Sequence, residues 1–150
     1  MNIVIITIGS RSRTTIKAEI DAYQKRLPKH VRVSWEFISH GNGSPTISKQ
    51  HEAEAILRKI PQDAFVILLD EKGKNLSSEE HADLVFGKGY KTIVYIIGGA
   101  YGVDERVTLR ANYIWSLSKL VFPQQLVRLI LTEQVYRAYT IHSGHPYHHV

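Results

Sequence analysis

The chain of 150 residues contains no cysteine and a single methionine. Without cysteine, disulfide bonds, thiolate catalysis and cysteine-ligated zinc sites are excluded, and because a reducing compartment is permitted we expect a cytoplasmic protein. Long apolar runs are absent as well. The opening segment MNIVIITIGS is too short, and too closely followed by charge, for a signal peptide or a membrane span, and it predicts a buried first strand.

A dinucleotide-binding glycine motif is also missing. Ile96–Gly102 reads IIGGAYG at the end of a strand pattern, without G-x-G-x-x-G spacing or an acidic residue at the ribose-binding distance. A Rossmann dinucleotide site is therefore poorly supported. Two explanations of the glycines stay open: a tight turn that requires positive φ, or a place where a ligand approaches the backbone at the carboxyl end of a strand.

The charge balance is basic, with a formal net charge of +5 at pH 7. This favours a polyanionic partner such as nucleic acid, although many basic proteins carry only solvated lysines and arginines. The candidate phosphate-binding patch consists of Lys17, Lys25, Arg26, Lys29 and Arg32. We weigh that patch equally against plain solvated surface.

Apolar runs of strand length alternate with helical patterns, which is typical of an α/β fold with a parallel sheet flanked by helices. The length suits a single domain spanning residues 1–150. The predicted strands, rich in β-branched and aromatic residues, are Ile3–Ile8, Val31–Ile38, Ala64–Leu69, Thr92–Ile97 and Tyr113–Leu117. The predicted helices are Ile16–Leu27, Lys49–Lys59, Ser78–Gly87, Asp104–Ala111 and Gln124–Tyr139. Ser77 and Glu80 have capping-box spacing, and the loop His40–Thr46 is predicted to be mobile.

The last predicted helix, Gln124–Tyr139, is apolar on most of its circumference. A helix at the end of a monomer normally has one wet face. This helix is therefore predicted either to pass through the core or to be shared with a second subunit. Its arginines Arg128 and Arg137 lie nine positions apart, on opposite sides of the helix, and Glu133 is spaced to pair with Arg137. We expect Arg137 to be structural and Arg128 to meet a substrate.

Three loops follow predicted strands and are expected to converge at one edge of the sheet. They are the glycine segment IIGGAYG, the segment LDEKGK at Leu69–Lys74, and the segment SKLVFPQQ at Ser118–Gln125. Asp70 and Glu71 are adjacent, so their side chains diverge on an extended chain, and a turn-stabilising acidic pair is favoured over paired acid–base catalysts. Together the loops predict a concave binding site.

The tail HSGHPYHHV is dense in imidazole and phenol groups. A metal site through His142, His145, His148 and His149 is disfavoured, because no cysteine supports it and Pro146 breaks helical spacing. Tyr147 and the flanking imidazoles are better suited to stacking on a base or handling a proton. A disordered polar tail is the alternative.

Several of these segments resemble the RlmH family, 23S rRNA pseudouridine N3-methyltransferases that are small members of the SPOUT class. The resemblance spans the chain in strand and helix order, and its motifs are strong from Leu69 onward. The matching segments are Leu69–Lys74, Ile97–Gly99 (IGG), Ser116–Pro123 (SLSK-x-x-FP), Leu126–Ala138 (L-x-R-x-x-L-x-E-Q-x-Y-R-A) and His145–His148 (HPYH).

The resemblance implies a SPOUT-type parallel sheet with a C-terminal trefoil knot, a homodimer, S-adenosylmethionine as cofactor, and 23S rRNA in the assembled ribosome as partner, with no membrane. It implies a cofactor site at Leu69, Gly98, Gly99, Ser118, Lys119, Leu120, Val121, Phe122 and Pro123. On this resemblance, Tyr147 and His148 position the base and accept or relay its N3 proton, across the dimer interface. Arg128 stabilises charge or binds phosphate.

Two positions depart from the family pattern. Gln124 stands where many members have a histidine, and His149 stands where an arginine or lysine usually follows the Tyr–His pair. If a basic group is needed at either position, this chain must use Gln124 or His149, and activity would become more pH-sensitive because imidazole titrates near neutrality. The alternative prediction is therefore a catalytically impaired ribosome- or RNA-binding module of the same fold.

Overall fold

A computed structural model describes residues 1–149; Val150 lies outside them. Its centre is a five-stranded sheet in the order β2-β1-β4-β3-β5, with every pair of neighbouring strands parallel. The strands are β1 (Asn2–Ile8), β2 (Arg32–Ile38), β3 (Phe65–Lys74), β4 (Thr92–Ile97) and β5 (Tyr113–Trp115). The predicted parallel α/β sheet is confirmed, and each observed strand lies where a strand was predicted.

The helices also follow the predicted order, with changes at their ends. They are α1 (Thr14–Arg26), α2 (Pro45–Lys59), α3 (Ser78–Ala82), α4 (Glu105–Arg110) and α5 (Gln124–Ser143). The capping box is confirmed, since the Ser77 side chain accepts from the Glu80 N–H and the Glu80 carboxylate accepts from the Ser77 N–H. A π-helical turn, Asp83–Gly87, follows α3, so the single predicted helix over 78–87 is divided.

Helix α2 begins four residues earlier than predicted. The Ser44 side chain accepts a hydrogen bond from the Ile47 N–H, and Pro45 occupies the first helical position, where its missing N–H costs nothing. The last three residues of the segment predicted to be a mobile loop, Ser44, Pro45 and Thr46, therefore form the start of the helix. Its remaining part is attached to α2, because Gly41 N–H donates to the Glu52 carboxylate at 3.0 Å.

The sheet is covered on both faces, which explains why its strands are apolar without alternation. One face packs Ile3, Ile5, Ile67 and Ile93 beneath α5 residues such as Leu131. The opposite face packs strand residues against α2 and α4, with Ile6, Ile8, Ala53, Ile56, Ile96 and Val107 all buried. Helix α5 lies mainly against α1 and α3.

The register of the sheet decides which loops meet. Leu69 of β3 is opposite Ile97 of β4 on one side and Trp115 of β5 on the other. Beyond Leu69, β3 is irregular before Lys74 pairs again with Trp115. The segments that follow these strands therefore leave the sheet side by side. Within the part of the chain that the structure describes, no helix has the length and apolarity needed to cross a membrane.

Candidate functional site

A cavity of about 850 Å³ opens at the carboxyl edge of β3, β4 and β5. That position is expected, since ligands of parallel α/β sheets bind outside the carboxyl ends of the strands. The volume lies within the usual range for a small-molecule site. The last part of β3 from Leu69 onward, the turn after β4, the loop after β5 and the first turn of α5 supply most of its lining. The three predicted segments therefore converge, although LDEKGK is the irregular end of β3 and not a loop.

The cavity collects the residues predicted to hold a cofactor, with one exception. Its lining includes Leu69, Gly98, Gly99, Ser118, Leu120, Val121, Phe122 and Pro123. Lys119 is exposed and is not part of the lining. Its neighbours Leu120 and Val121 line the open mouth of the cavity while being largely exposed themselves, and the charged end of a lysine is stabilised in water. Eight of the nine residues predicted to hold a cofactor therefore line one cavity, and Lys119 does not.

Three glycines of the segment after β4 bear on the two explanations that the sequence left open. Gly102 has φ of 76°, and Gly99 and Gly102 form an isolated bridge, so the segment is a tight turn. A Cβ on Gly98 would lie 2.9 Å from a Val103 methyl group, closer than atoms normally approach. All three glycines also line the cavity. The turn and the close approach of a ligand are therefore compatible, because one geometry serves both.

Asp70 has the turn-forming role that was predicted for it. Its carboxylate accepts a hydrogen bond from the Lys72 N–H at 2.8 Å, the two-residue spacing of an Asx turn. Asp70 and Glu71 also line the cavity. They place two carboxylates in a lining that also holds Lys49 and Lys72.

Serine side chains shape the loop after β5. The Ser116 hydroxyl donates to the Ser118 carbonyl at 2.9 Å, and the Ser118 hydroxyl accepts from the Leu120 N–H at 3.0 Å. These bonds leave the apolar side chains of Leu120 and Val121 largely in water, 70% and 78% exposed. Exposed aliphatic groups at a cavity mouth indicate a surface that another molecule covers.

Gln124 connects this cavity, through Arg128, to the carboxyl end of the neighbouring strand β1. Its Nε2 donates to the Gly98 carbonyl at 2.9 Å, and its Oε1 accepts from Arg128 Nη2 at 3.2 Å. The carboxamide thus holds the turn after β4 at one end and a buried cation at the other. Gln124, which stands where a histidine was expected from the resemblance, therefore has a defined structural role in this chain.

Arg128 is fully buried, and its guanidinium is bound by the main chain beyond β1. It donates to the Ser10 carbonyl at 2.7 Å and to the Ile8 carbonyl at 3.1 Å, and it lies 5.5 Å from the centre of the Phe37 ring. Burial lowers its pKa from the usual arginine value. It does not line the cavity. Arg128 is 0% exposed in the single chain, and its predicted contact with a substrate stays a prediction.

Sequence reasoning missed several residues of the cavity wall, one of which carries an imidazole. The missed lining residues include His40, Lys49, Trp115, Leu117 and Val127, whereas Ile97 and Gln124 lie in two of the predicted loops. One signal was available for His40, which follows β2 and hence the same carboxyl edge. A Cβ on Gly9 would lie 3.2 Å from His40 Nε2 and 3.5 Å from Gln124 Oε1, so an imidazole does stand near Gln124. Gly9 has φ of 105° and leaves room for both.

The predicted catalytic residues of the tail lie elsewhere. The Tyr147 hydroxyl donates to Glu133 Oε1 at 3.0 Å, and its ring lies over Arg137 with 4.8 Å between the ring centre and the guanidinium carbon. His148 Nε2 is 3.0 Å from Glu79 Oε1, and its Nδ1 is 3.2 Å from Arg137 Nη1. The predicted pairing of Glu133 with Arg137 is observed at 2.6 Å.

Helix geometry separates this cluster from the cavity of the same chain. Glu133 is nine residues beyond Gln124, and Arg137 is thirteen, which at 1.5 Å per residue corresponds to roughly 13 to 20 Å along α5. No tail residue is among those that line the cavity.

Burial, together with hydrogen bonding to Tyr23 and Glu133, raises the pKa of Tyr147, so its hydroxyl stays protonated. Among residues 1–149, no three His, Cys, Asp or Glu side chains are grouped to hold a metal ion.

One buried titratable pair supports the cavity wall from behind. His81 Nε2 lies 2.7 Å from the Tyr95 hydroxyl, and its ring stacks on Trp115 with 4.2 Å between ring centres. Burial lowers the pKa of His81 to about 3 and raises that of Tyr95. Both groups are therefore neutral at physiological pH. They fix the orientation of Trp115, which lines the cavity.

Comparison with known proteins gives a consistent result. Residues 1–148 match a family described as a predicted SPOUT methyltransferase. A protein of Clostridium botulinum (strain Kyoto / Type A2) named ribosomal RNA large subunit methyltransferase H is 44% identical, with 99% of each chain covered. A protein of the same name from Clostridium novyi (strain NT) is 42% identical over the same shares of both chains.

Proposed function

The chain belongs to the SPOUT methyltransferase family, and we propose that it transfers a methyl group from S-adenosylmethionine to N3 of a pseudouridine in 23S rRNA. The resemblance predicted from the motifs is thereby confirmed, and S-adenosylmethionine is the methyl donor. The name of the relatives, a large-subunit rRNA methyltransferase, supports the class of substrate. The pseudouridine and its N3 atom rest on the RlmH resemblance.

The observation that carries this proposal is the cavity at the carboxyl edge of β3, β4 and β5. Its composition fits the donor. Leu69, Ile97 and Trp115 offer apolar surface to an adenine ring, and the absent side chain of Gly98 lets a ligand approach the backbone. The carboxylates of Asp70 and Glu71 suit the cationic amino-acid portion.

S-adenosylmethionine supplies a methyl group that is already activated by a positively charged sulfur. The chain has to hold the base with N3 in line with that methyl group, exclude competing water, and remove the N3 proton. Gln124 contributes by fixing the Gly98 carbonyl, and Arg128 contributes by fixing Gln124. We assign Arg128 this positioning role.

Tyr147 and His148 are proposed to position the base and to accept or relay its proton. In this scheme they act on the cavity of a second subunit, since a tail bound to Glu133 and Arg137 is remote from its own cavity. A homodimer is further supported by exposed apolar surface at the cavity mouth, on Leu120, Val121 and Leu126. The twofold-related tails would then complete both sites.

The knot, the assembled ribosome as substrate and the cytoplasmic location belong to the same proposal. The knot is supported by the convergence of the turn after β4 with the loop after β5, from which α5 begins. The ribosome is supported by basic side chains at the surface. Lys25, Lys29 and Arg32 are exposed, whereas Lys17 pairs with Asp21 and Arg26 packs over the Tyr23 ring.

Methyl transfer from labelled S-adenosylmethionine to ribosomes that lack the modification tests the proposal, with free 23S rRNA as a parallel substrate. We expect label on ribosomes, mapped to N3 of a pseudouridine. Cofactor binding without transfer would favour the alternative of an impaired ribosome-binding module. Absence of cofactor binding would overturn the assignment of the cavity.

Mixing two inactive variants tests whether the tail acts on the other subunit. A Gly98→Val variant blocks the cavity, and a His148→Ala variant removes the tail imidazole. Heterodimers formed from both contain one complete site if the tail works in trans, and we expect activity to return to at most half of the wild-type value. If the mixture stays inactive while heterodimers form, the tail acts within its own chain.

A further inference from the structure

A second, smaller cavity adjoins the first. It measures about 200 Å³ and shares His40, Lys49 and the turn Gly99–Gly102 with the larger one. Its separate wall comes from the segment after β2 and from the first half of α2, including Gly41, Ser48 and Glu52. A cavity of this size takes one planar ring and is too small for the whole methyl donor. The two spaces therefore meet along the turn after β4.

Glu52 is the one carboxylate in the wall of the smaller cavity, and it is held in place. The residue is only 7% exposed. Its Oε1 accepts from the Gly41 N–H at 3.0 Å and from the Ser48 hydroxyl at 3.0 Å. Among residues 1–149, no donor reaches its Oε2, which lies 3.7 Å from the point that a Cβ on Gly99 would occupy. Oε2 is not among the buried polar atoms that lack a partner, so it opens to the cavity, where a ligand can donate a hydrogen bond to it.

We propose that the smaller cavity receives the target base and that Glu52 Oε2 accepts a hydrogen bond from its N1–H. This inference rests on the proposed function, because it names the base that the same site would methylate. The base and the methyl donor would then meet beside the Gly99–Gly102 turn, where the two cavities adjoin, with N3 facing the larger cavity. Glu52 is a specificity-determining residue in this scheme.

The chemistry of the two candidate bases explains the choice of atom. In uridine N1 carries the ribose, so the ring has a single N–H, at N3. In pseudouridine the ribose is attached through carbon, so N1 keeps its hydrogen while N3–H is the group that is replaced. A carboxylate acceptor beside N1 therefore recognises pseudouridine before and after methylation. With uridine the buried carboxylate would lose its partner, which a site of this kind penalises strongly.

The test compares Glu52→Gln with the wild type on ribosomes that carry either pseudouridine or uridine at the target position. The amide oxygen can keep the bonds to Gly41 and Ser48, while the amide nitrogen presents a donor to N1–H in place of an acceptor. We expect kcat/KM of the wild type to be at least tenfold higher on pseudouridine, a value typical of a charged hydrogen bond. The variant should lose this preference to within about twofold.

Glu54→Gln is the matched control, because Glu54 lies on the exposed side of the same helix. Both variants should bind S-adenosylmethionine within twofold of the wild type by calorimetry. If Glu52→Gln does not fold, Ser48→Ala loosens the same carboxylate while keeping it, and should reduce the preference in part. A variant that keeps the wild-type preference, or a wild type that has none, overturns the inference. If the wild-type protein methylates neither the pseudouridine-containing nor the uridine-containing ribosomes, the proposed function itself is overturned, and this inference falls with it.

Discussion

The two ends of α5 carry an arginine each, and the two are held in different ways. Arg128, near the first turn, is fully buried and donates to main-chain carbonyls at the end of β1. Arg137, nine residues later, remains partly exposed and binds the side chains of Glu133 and His148. The hydrogen bond to Glu133 is the largest of the effects that raise the pKa of Arg137, whereas burial lowers that of Arg128.

The difference separates a fixed scaffold from a surface that can change partners. Main-chain carbonyls cannot move without moving the sheet, so Arg128 and Gln124 keep the cavity in one shape. Side-chain pairs at a surface are weaker and are exchanged at lower cost. The polar groups of Tyr147 and His148 are held by such pairs, while the Tyr147 ring also packs edge-on against Tyr136. Pairs of this kind suit residues that are proposed to bind a nucleotide. The predictions below test this contrast from either side.

The largest effect is expected from Arg128→Met. This change leaves the Ile8 and Ser10 carbonyls without their buried donor, and each unsatisfied buried acceptor typically costs about 1 to 3 kcal/mol. Urea unfolding followed by circular dichroism should show that loss in the free energy of unfolding. Arg137→Met is the matched control and should cost about 1 kcal/mol or less. Equal losses for both variants would contradict the contrast.

The second largest effect is expected from lowering the pH, which reduces the stability of the fold through the buried residue His81. The pKa of His81 is lowered to about 3 from the usual 6.5, so the unfolded chain binds more protons than the folded one between these values. Stability is therefore full above about pH 6.5 and is lost as pH falls toward 3, by a few kcal/mol at 1.36 kcal/mol per pKa unit. At the tail, hydrogen bonds from its own helix turn and from His148 lower the pKa of Glu79 to about 2, so that carboxylate stays charged over the same range.

Thermal unfolding from pH 7 to pH 4 measures this effect. The control is the double variant His81→Leu/Tyr95→Phe, which removes the titrating imidazole together with the hydroxyl that it would leave unpaired. The double variant should lose less stability on acidification than the wild type. If both lose the same amount, other groups dominate and His81 is not the buried acid-sensitive residue.

The tail variants Tyr147→Phe and His148→Ala should reduce activity while leaving the scaffold unchanged. We expect kcat on ribosomes to fall at least tenfold for each, with cofactor affinity and unfolding free energy close to wild type, because both residues are held at the surface. Steady-state methylation and calorimetry give the two readouts. His145→Ala changes an exposed imidazole of the same tail and should keep full activity. Full activity in both test variants would remove these residues from the mechanism.

The smallest effect concerns Gln124, which joins the scaffold to the cavity. Gln124→Ala frees the Gly98 carbonyl and one N–H of Arg128, and a single hydrogen bond of this kind contributes about 1 kcal/mol. We expect affinity for S-adenosylmethionine to fall roughly fivefold, with a smaller loss of stability than in Arg128→Met. Gln125→Ala, at the neighbouring position, should leave the affinity unchanged. An unchanged affinity in Gln124→Ala would mean that the turn after β4 holds its shape unaided.

Much of the fold follows from local pattern. Unbroken apolar runs such as Thr92–Ile97 indicate strands covered on both faces, and the Ser77–Glu80 spacing marks a helix start, because these features depend on neighbours along the chain. The start of α2 was missed although Ser44 and Pro45 carry its signal. The cavity was predicted through the loops that form it, since parallel strands bring their carboxyl ends to one edge.

The sequence by itself determined the class of fold, the strand and helix order, and the motifs that identify the family. Only the tertiary structure decided where each arginine of α5 points, that His40 and Glu52 join the edge of the sheet, and that the tail packs away from its own cavity. The reason is physical. Helical periodicity states that Arg128 and Arg137 face opposite sides, but which side is buried depends on the carbonyls at the end of β1, more than one hundred residues away in the chain.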